Sequence, residues 1–442
     1  MTAAPGLVIA APASGSGKTT VTLALLRLFR DRGVRAAACK VGPDYIDAAF
    51  HAAASGRPCL NLDPWAMRRE TLAMLMTMAS RDAELLLIEG VMGLFDGAAP
   101  AEAGGSAGST ADLAALCGWP VVLVVDASGQ GASAAAVVRG FRDFRADVEV
   151  AGVIFNRIGG EGHRRILARA MVPLGLPMLG ALPHEAELAL PDRHLGLVQA
   201  REHQDLDAFL ARAAAWAATH IDLAALRSLA RPGRLDPTTG SALPLAPLGQ
   251  RIALAEDDAF AFSYPHLVAA WRGQGAEILP FSPLIDQAPD PAADAVFLPG
   301  GYPELHAGRL ARNRRFLDGL RRAAAGGAVV YGECGGYMVL GEGLVDATGA
   351  RHAMAGLLPL ETSFAARHMH LGYREVRLVE ATPLGPAASV FRGHEFHYAA
   401  VLREPREAPL FSAADAAGHS LGPAGARRGR VMGSFIHLVD RV

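Results

Sequence analysis

The sequence predicts an α/β chain of two units in tandem, the first a doubly wound parallel sheet. Three observations carry that expectation. Runs at 7–11, 34–40, 85–90, 121–127, 150–157 and 178–183 are continuously apolar rather than alternating, as strands buried on both faces of a parallel sheet are. Between them, stretches such as 19–32 and 71–81 carry apolar residues at helical spacing, and strand–helix alternation builds this kind of domain. After a helical stretch at 204–230, residues 231–249 are rich in Pro, Gly, Thr and Ser, and the alternation restarts at 251–256, 277–281, 295–298 and 328–331. The expected division is therefore 1–230, a linker at 231–249, and 250–442. Toward the end a more mixed sheet is expected, with strands at 370–379 and 431–438.

Composition narrows the function classes. At 442 residues the chain is long enough for large cores without disulfide or metal staples. Lys plus Arg total 42 against 44 Asp plus Glu, a net charge of −2. That balance argues against a nucleic-acid partner and against a polybasic membrane binder. Hydrophobic residues at 51% with charged residues at 19% exclude disorder for most of the chain. Cys39, Cys59, Cys117 and Cys334 lie far apart, with no zinc-like spacing, which suits a reducing cytoplasm. The first three read as small buried hydrophobes. No apolar run reaches the length of a membrane span. Residues 1–13 are apolar but lack a basic leader, so a signal peptide is not expected.

The first unit carries a nucleotide signature. Pro12-Ala-Ser-Gly-Ser-Gly-Lys18-Thr-Thr20 follows the first strand and opens a helix. It matches the phosphate-loop pattern, with Pro12 at the first glycine. Gly15, Ser16 and Gly17 would turn backbone N–H groups toward phosphate oxygens, helped by the helix N-terminus. Lys18 would reach the terminal phosphates, Thr19 would face Mg²⁺, and Thr20 completes the motif. Carboxylates follow at strand ends, where α/β sheets place ligands. Asp44, Tyr45 and Asp47 leave the second strand, Glu89 closes the apolar run at 85–88, and Asp96 lies in the loop beyond. Thr19 with Asp44 or Glu89 is a sensible hard-oxygen shell for Mg²⁺. Asn156, at the end of another strand, is a candidate reader of a purine edge.

The second unit carries a nucleophile. Gly332-Glu-Cys334-Gly-Gly336 sits at a strand-to-helix turn and reads as an elbow with Cys in place of Ser. A helix N-terminus there is expected to lower the thiol pKa, and the Gly335 N–H faces a developing oxyanion. The glycine backbone of Pro299-Gly-Gly301-Tyr-Pro-Glu304 offers a second oxyanion donor, taken as Gly301. His437, closing a late strand, is the expected base. The cluster 393–398 holds His394 and His397, but His-x-x-His on a strand faces opposite sides, which disfavours zinc.

A phosphate loop followed by a Cys elbow, together with the blocks at 13–20, 40–47, 89–97, 299–304, 332–337, 393–398 and 434–437, resembles the cobyrinic or hydrogenobyrinic acid a,c-diamide synthase family. The resemblance runs along nearly the whole chain. It implies a dethiobiotin-synthetase-like ATP domain joined to a class I glutamine amidotransferase-like α/β domain. It also implies ATP and Mg²⁺, L-glutamine and a polycarboxylate corrin. A cytoplasmic setting and a homodimer are further expectations, and a shielded route for ammonia is expected because free ammonia would otherwise be protonated and lost. Asp44, Tyr45 and Asp47 then resemble the metal and substrate loop, Glu89 a Mg²⁺ ligand, and Asp96 a group serving the reacting carboxylate or phosphate. One departure stands out: the family's amidotransferase class usually has Glu two residues after its His, whereas here that residue is Val439. This leaves a Cys–His dyad, with Asp440 the nearest carboxylate in sequence. Cobyric acid synthases and the nickel-tetrapyrrole amidase share both domains. A MinD-like ATPase fits less well, because Ala13 stands where a second lysine would. The Ala/Arg-rich composition suggests a high-GC genome, of a kind that often inserts cobalt late, and so tips the expectation to the metal-free ring.

Overall fold

Continuous apolar runs of the first unit line up as one parallel sheet. The computed structural model describes residues 4–100, 106–190, 192–193, 196–197, 199–235, 244–404 and 407–442. It divides into Met1–Trp65 with Arg69–Ala242, and Ala66–Arg68 with Leu243–Val442. In the first unit the strand order is Leu60–Leu62, Ala36–Val41, Leu85–Glu89, Pro5–Ala10, Val121–Asp126, Val150–Ile158 and Met178–Pro183. Every neighbouring pair along this order is parallel. Crossovers from Pro5–Ala10 run to one side early and to the other side later. The carboxyl end of that central strand is thus the switch point where such sheets hold ligands.

Three features of this unit go beyond the expected pattern. Residues 41–59 include a helix, Tyr45–Ser55, and the short edge strand Leu60–Leu62 follows. Asp44 caps that helix, its carboxylate accepting from the N–H groups of Ile46 and Asp47 at 2.8 and 3.0 Å. The helical stretch 204–230 is two helices, Leu206–His220 and Leu223–Leu229, because Asp222 caps the second by accepting from Ala225 N–H. Residues 231–232 pair antiparallel with Pro5 and Gly6 and so extend the sheet. Part of the expected linker, 236–243, lies outside the described residues.

In the second unit the parallel strands Glu277–Phe281, Arg251–Ala255, Ala295–Leu298, Val329–Glu333 and Val431–Ser434 lie side by side, and Ala426–Arg428 adds an antiparallel edge. An antiparallel sheet follows the order Ser420–Ala424, Phe411–Asp415, His370–Leu378, Val390–His397 and Ile436–Arg441. The single strand expected at 431–438 is therefore two strands in two sheets. Phe435 is the junction, and its ring packs on Tyr337 and His397. This step carries His437 from the parallel sheet onto the neighbouring one.

Candidate functional site

The phosphate loop owes its shape to two glycines. Gly15 and Gly17 have φ of 78° and 93°, a region other residues enter only with strain. Space decides the second position as well: a Cβ on Gly17 would stand 2.2 Å from Asn156 Nδ2. Asn156 Nδ2 donates to Ser16 O at 3.0 Å, and its Oδ1 accepts from Arg157 N–H at 2.9 Å. The expected reader of a purine edge therefore braces the loop through Nδ2, while its Oδ1 is held by its own neighbour. It also lines a cavity of about 440 Å³ with Gly15, Gly17, Lys18, Thr19 and Thr20.

Lys18 and Thr19 point to the adjacent strand ends. Lys18 Nζ donates to Met92 O at 2.7 Å, and Thr19 Oγ1 donates to Glu89 Oε1 at 2.7 Å. Glu89 is fully buried and also meets Lys40 Nζ at 2.8 Å and His51 Nε2 at 2.5 Å. Lys40 meets Asp47 at 2.6 Å. Burial alone would raise Glu89, but Lys40 and His51 overcome it and hold the carboxyl well below its usual range. Burial likewise opposes the charge on Lys40, and Asp47 and Glu89 reverse that, raising it above its ordinary value. Asp44 is pushed up to about 6 by burial and by Asp47. Asp44 Oδ1 is committed to the helix cap, and it is Glu89 that meets the Thr19 hydroxyl. Tyr45 opens the same helix, half-buried. Asp96 accepts from Gly93 N–H at 2.8 Å and folds the loop after Glu89 back on itself. Sequence reasoning missed Lys40 and His51 as parts of this site. Lys40 lay inside a quoted block, but His51 sits on an unanticipated helix and carried no signal.

In the second unit, Cys334 occupies the sharp turn between Val329–Glu333 and the helical turn Gly335–Leu340, at φ 48° and ψ −107°. Close packing explains its glycines. A Cβ on Gly332 would lie 2.7 Å from Gly336 C, and one on Gly336 would lie 2.0 Å from Leu298 O. The point where a Gly300 Cβ would stand is 3.1 Å from His437 Nε2 and 3.2 Å from Cys334 Cβ. That glycine thus keeps open the space between thiol and imidazole. Gly301 N lies 3.1 Å from the point where a Gly335 Cβ would stand, so the two expected oxyanion donors are neighbours.

Electrostatics at Cys334 run against expectation. Burial pushes the thiol up, Glu304, Glu395 and Glu333 push the same way, and the Gly335 N–H opposes only weakly. One short helical turn cannot offset that desolvation with carboxylates nearby. Burial, then His394 and His397, drive His437 well below its ordinary value, so the pair rests as thiol and neutral imidazole. Glu333, a residue the sequence reading passed over, faces His437 Nδ1 at 3.7 Å. Asp440 is instead paired with Arg68, at 2.8 Å to Nη2 and 2.8 Å to the backbone N–H. His394 and His397 do part company: His394 stacks on His437 and meets Tyr264 OH at 3.2 Å, whereas His397 stacks on His370. Glu395 joins His397 at 3.0 Å and Arg374 at 2.8 Å.

Fold and sites together define a class, a nucleotide-binding domain joined to a glutamine amidotransferase domain. Residues 7–198 match the CobQ/CobB/MinD/ParA nucleotide binding domain, and 251–440 match the CobB/CobQ-like glutamine amidotransferase domain. Hydrogenobyrinate a,c-diamide synthases align almost end to end. Those of Brucella anthropi and Rhodobacter capsulatus are 56% and 54% identical, each covering 98% of both chains. That of Rhizobium meliloti is 54% identical over 98% of this chain and 99% of its own. The chain belongs to the hydrogenobyrinate a,c-diamide synthase family.

Proposed function

We infer that this chain is a glutamine-dependent carbon–nitrogen ligase that amidates the a- and c-acetate carboxylates of hydrogenobyrinic acid, driven by ATP. The observation that carries this is 56% identity to a hydrogenobyrinate a,c-diamide synthase over 98% of both chains. A carboxylate is a poor electrophile, so phosphoryl transfer from ATP must first make it an acyl phosphate. Lys18 neutralises the transferring group once it leaves Met92 O. Thr19 and Glu89 present hard oxygens 2.7 Å apart, the donor chemistry Mg²⁺ takes. Bound there, Mg²⁺ would supply positive charge to the phosphates. Tyr45, Asp47 and Asp96 edge the same strand ends and are assigned to the reacting carboxylate.

In the second unit Cys334 attacks the glutamine carboxamide after His437 Nε2 takes the thiol proton. Gly301 and Gly335 N–H groups receive the oxyanion, and His437 returns the proton to the departing ammonia. Ammonia then displaces phosphate from the acyl phosphate. No helix among the described residues is long and apolar enough to cross a membrane. Cytoplasmic residence and a homodimer complete the reading, with light scattering to measure the assembly. The test is mass spectrometry of products from hydrogenobyrinic and cobyrinic acids with ATP, Mg²⁺ and glutamine. Diamide from the metal-free ring is expected, and diamide from the cobalt ring alone would overturn the substrate assignment.

A further inference from the structure

We propose that Glu333, the residue immediately before the nucleophile, is the positioning residue that orients His437 and balances its charge during glutamine hydrolysis. This rests on Cys334 and His437 acting as nucleophile and base.

The geometry is directional. Glu333 is 2% exposed and its Oε1 is held by Tyr331 OH at 2.9 Å and by Leu438 N–H at 3.1 Å. Leu438 adjoins His437, so the carboxylate is pinned to the strand that carries the base. The other oxygen, Oε2, faces His437 Nδ1 at 3.7 Å. The opposite ring nitrogen, Nε2, faces the gap beside Gly300 and Cys334. One imidazole edge thus faces the gap that Cys334 borders and the other faces a carboxylate.

The charged and titratable neighbours are otherwise engaged. His394 stacks on the ring, is bonded to Tyr264, and is held down to about 3 by burial. Glu395 is paired with Arg374 and His397, and Asp440 with Arg68. Burial raises Glu333 to about 8, against the pull of Leu438 N–H and Tyr331 OH. Burial also disfavours a charged His437. Glu333 ionises as pH rises through about 8, and in that form it carries the charge opposite to the one His437 acquires in the reaction. When Sγ passes its proton to Nε2 and the thiolate bonds to the carboxamide carbon, the ring becomes a cation beside Glu333. The Nδ1 proton stays on the ring, and the Nε2 proton leaves with ammonia as the C–N bond breaks. Water then cleaves the thioester, releasing glutamate and restoring the thiol. Glu333 holds the ring and its charge throughout, and takes no proton from it.

The test uses the full chain and four measurements: glutamine-dependent kcat and KM, its pH profile, iodoacetamide labelling of Cys334, and ammonia-dependent amidation as the control for fold. Glu333→Gln keeps an acceptor for Tyr331 and Leu438 while removing the charge. It should lower kcat about 10²-fold or more with little change in KM, slow the labelling, and abolish the rise in rate near pH 8. Glu333→Asp should recover part of that loss. An unchanged kcat and pH profile in Glu333→Gln overturns the proposal. If that variant does not fold, an unaltered profile in Glu333→Asp does the same. Cys334→Ala separates the two readings: retained glutamine-dependent amidation there would refute the nucleophile itself rather than the role of Glu333.

Discussion

The two sites solve the burial of charge in opposite ways. In the first unit Glu89 is fully buried yet meets Lys40, His51 and Thr19 within 2.8 Å, and Lys40 also meets Asp47. In the second, Cys334, His437, His394 and Glu333 are equally buried, and burial drives each toward its uncharged form. The difference follows the chemistry. On the proposed function, the first site takes phosphates and a divalent cation and so needs permanent charges that can exchange partners. A site for a neutral carboxamide needs charge only during proton transfer, so the resting groups tolerate a dry setting. The Glu89 carboxylate of the first site is ion-paired, whereas the thiol and imidazole of the second are set by close glycine packing.

Breaking the ionic network should have the largest effect. Lys40→Met preserves bulk but leaves Glu89 and Asp47 buried without their shared cation. Removing one partner of a buried pair costs about 3–5 kcal/mol, and denaturant unfolding should register it. An unfolding midpoint equal to that of the parent chain would mean the network is dispensable. Lys18→Ala comes next, because it removes the charge that the transferring phosphoryl group needs. It should reduce amidation about 10²- to 10³-fold with either glutamine or ammonia, while glutaminase activity continues. Normal ATP use in that variant would refute the phosphate-loop assignment.

Gly300→Ala tests the packing half of the comparison. The new methyl would stand 2.4 Å from His437 Cε1, between thiol and base. Glutamine-dependent turnover should fall about 10- to 100-fold, since small displacements of reacting groups carry penalties of that size. Ammonia-dependent turnover should persist, and equal loss of both activities would contradict a local effect. This glycine also marks how far the sequence was legible. Its block was quoted at the outset, but the neighbouring Gly301 attracted the functional reading, because only the folded chain brings His437 to Gly300. Apolar strand runs and glycine-rich turns announce themselves locally. The Glu89 network joins residues 38 and 49 positions apart, and Leu438 N–H reaches Glu333 across 105. No periodicity encodes such pairings. The run at 431–438 hides its break for the opposite reason: it has strand character throughout, and no Pro or turn cluster announces the change of sheet at Phe435.

The smallest expected effect concerns pH. His266, fully buried with Nε2 3.3 Å from Val439 O, is lowered to about 4 by burial, against the weaker pull of that carbonyl. In the unfolded chain it would titrate near its ordinary value of about 6.5. Its folded pKa is the lower one, so its contribution to stability is complete above about 6.5 and is lost as pH falls toward 4. Glu89, also held below its ordinary value, behaves with the same sign, but its window opens only below about 4.5. Mild acid therefore discriminates between the two sites. From about pH 7 to about pH 5.5 the parent chain should lose about 1 kcal/mol that His266→Gln, which keeps a donor but does not titrate, retains. Absolute stabilities will differ, so the change with pH is the quantity to compare in denaturant titrations. Parallel changes in the two chains would show that His266 is not titrating on unfolding. A smaller loss in the variant would show that this histidine of the second unit is buried neutral, in contrast to the ion-paired first site.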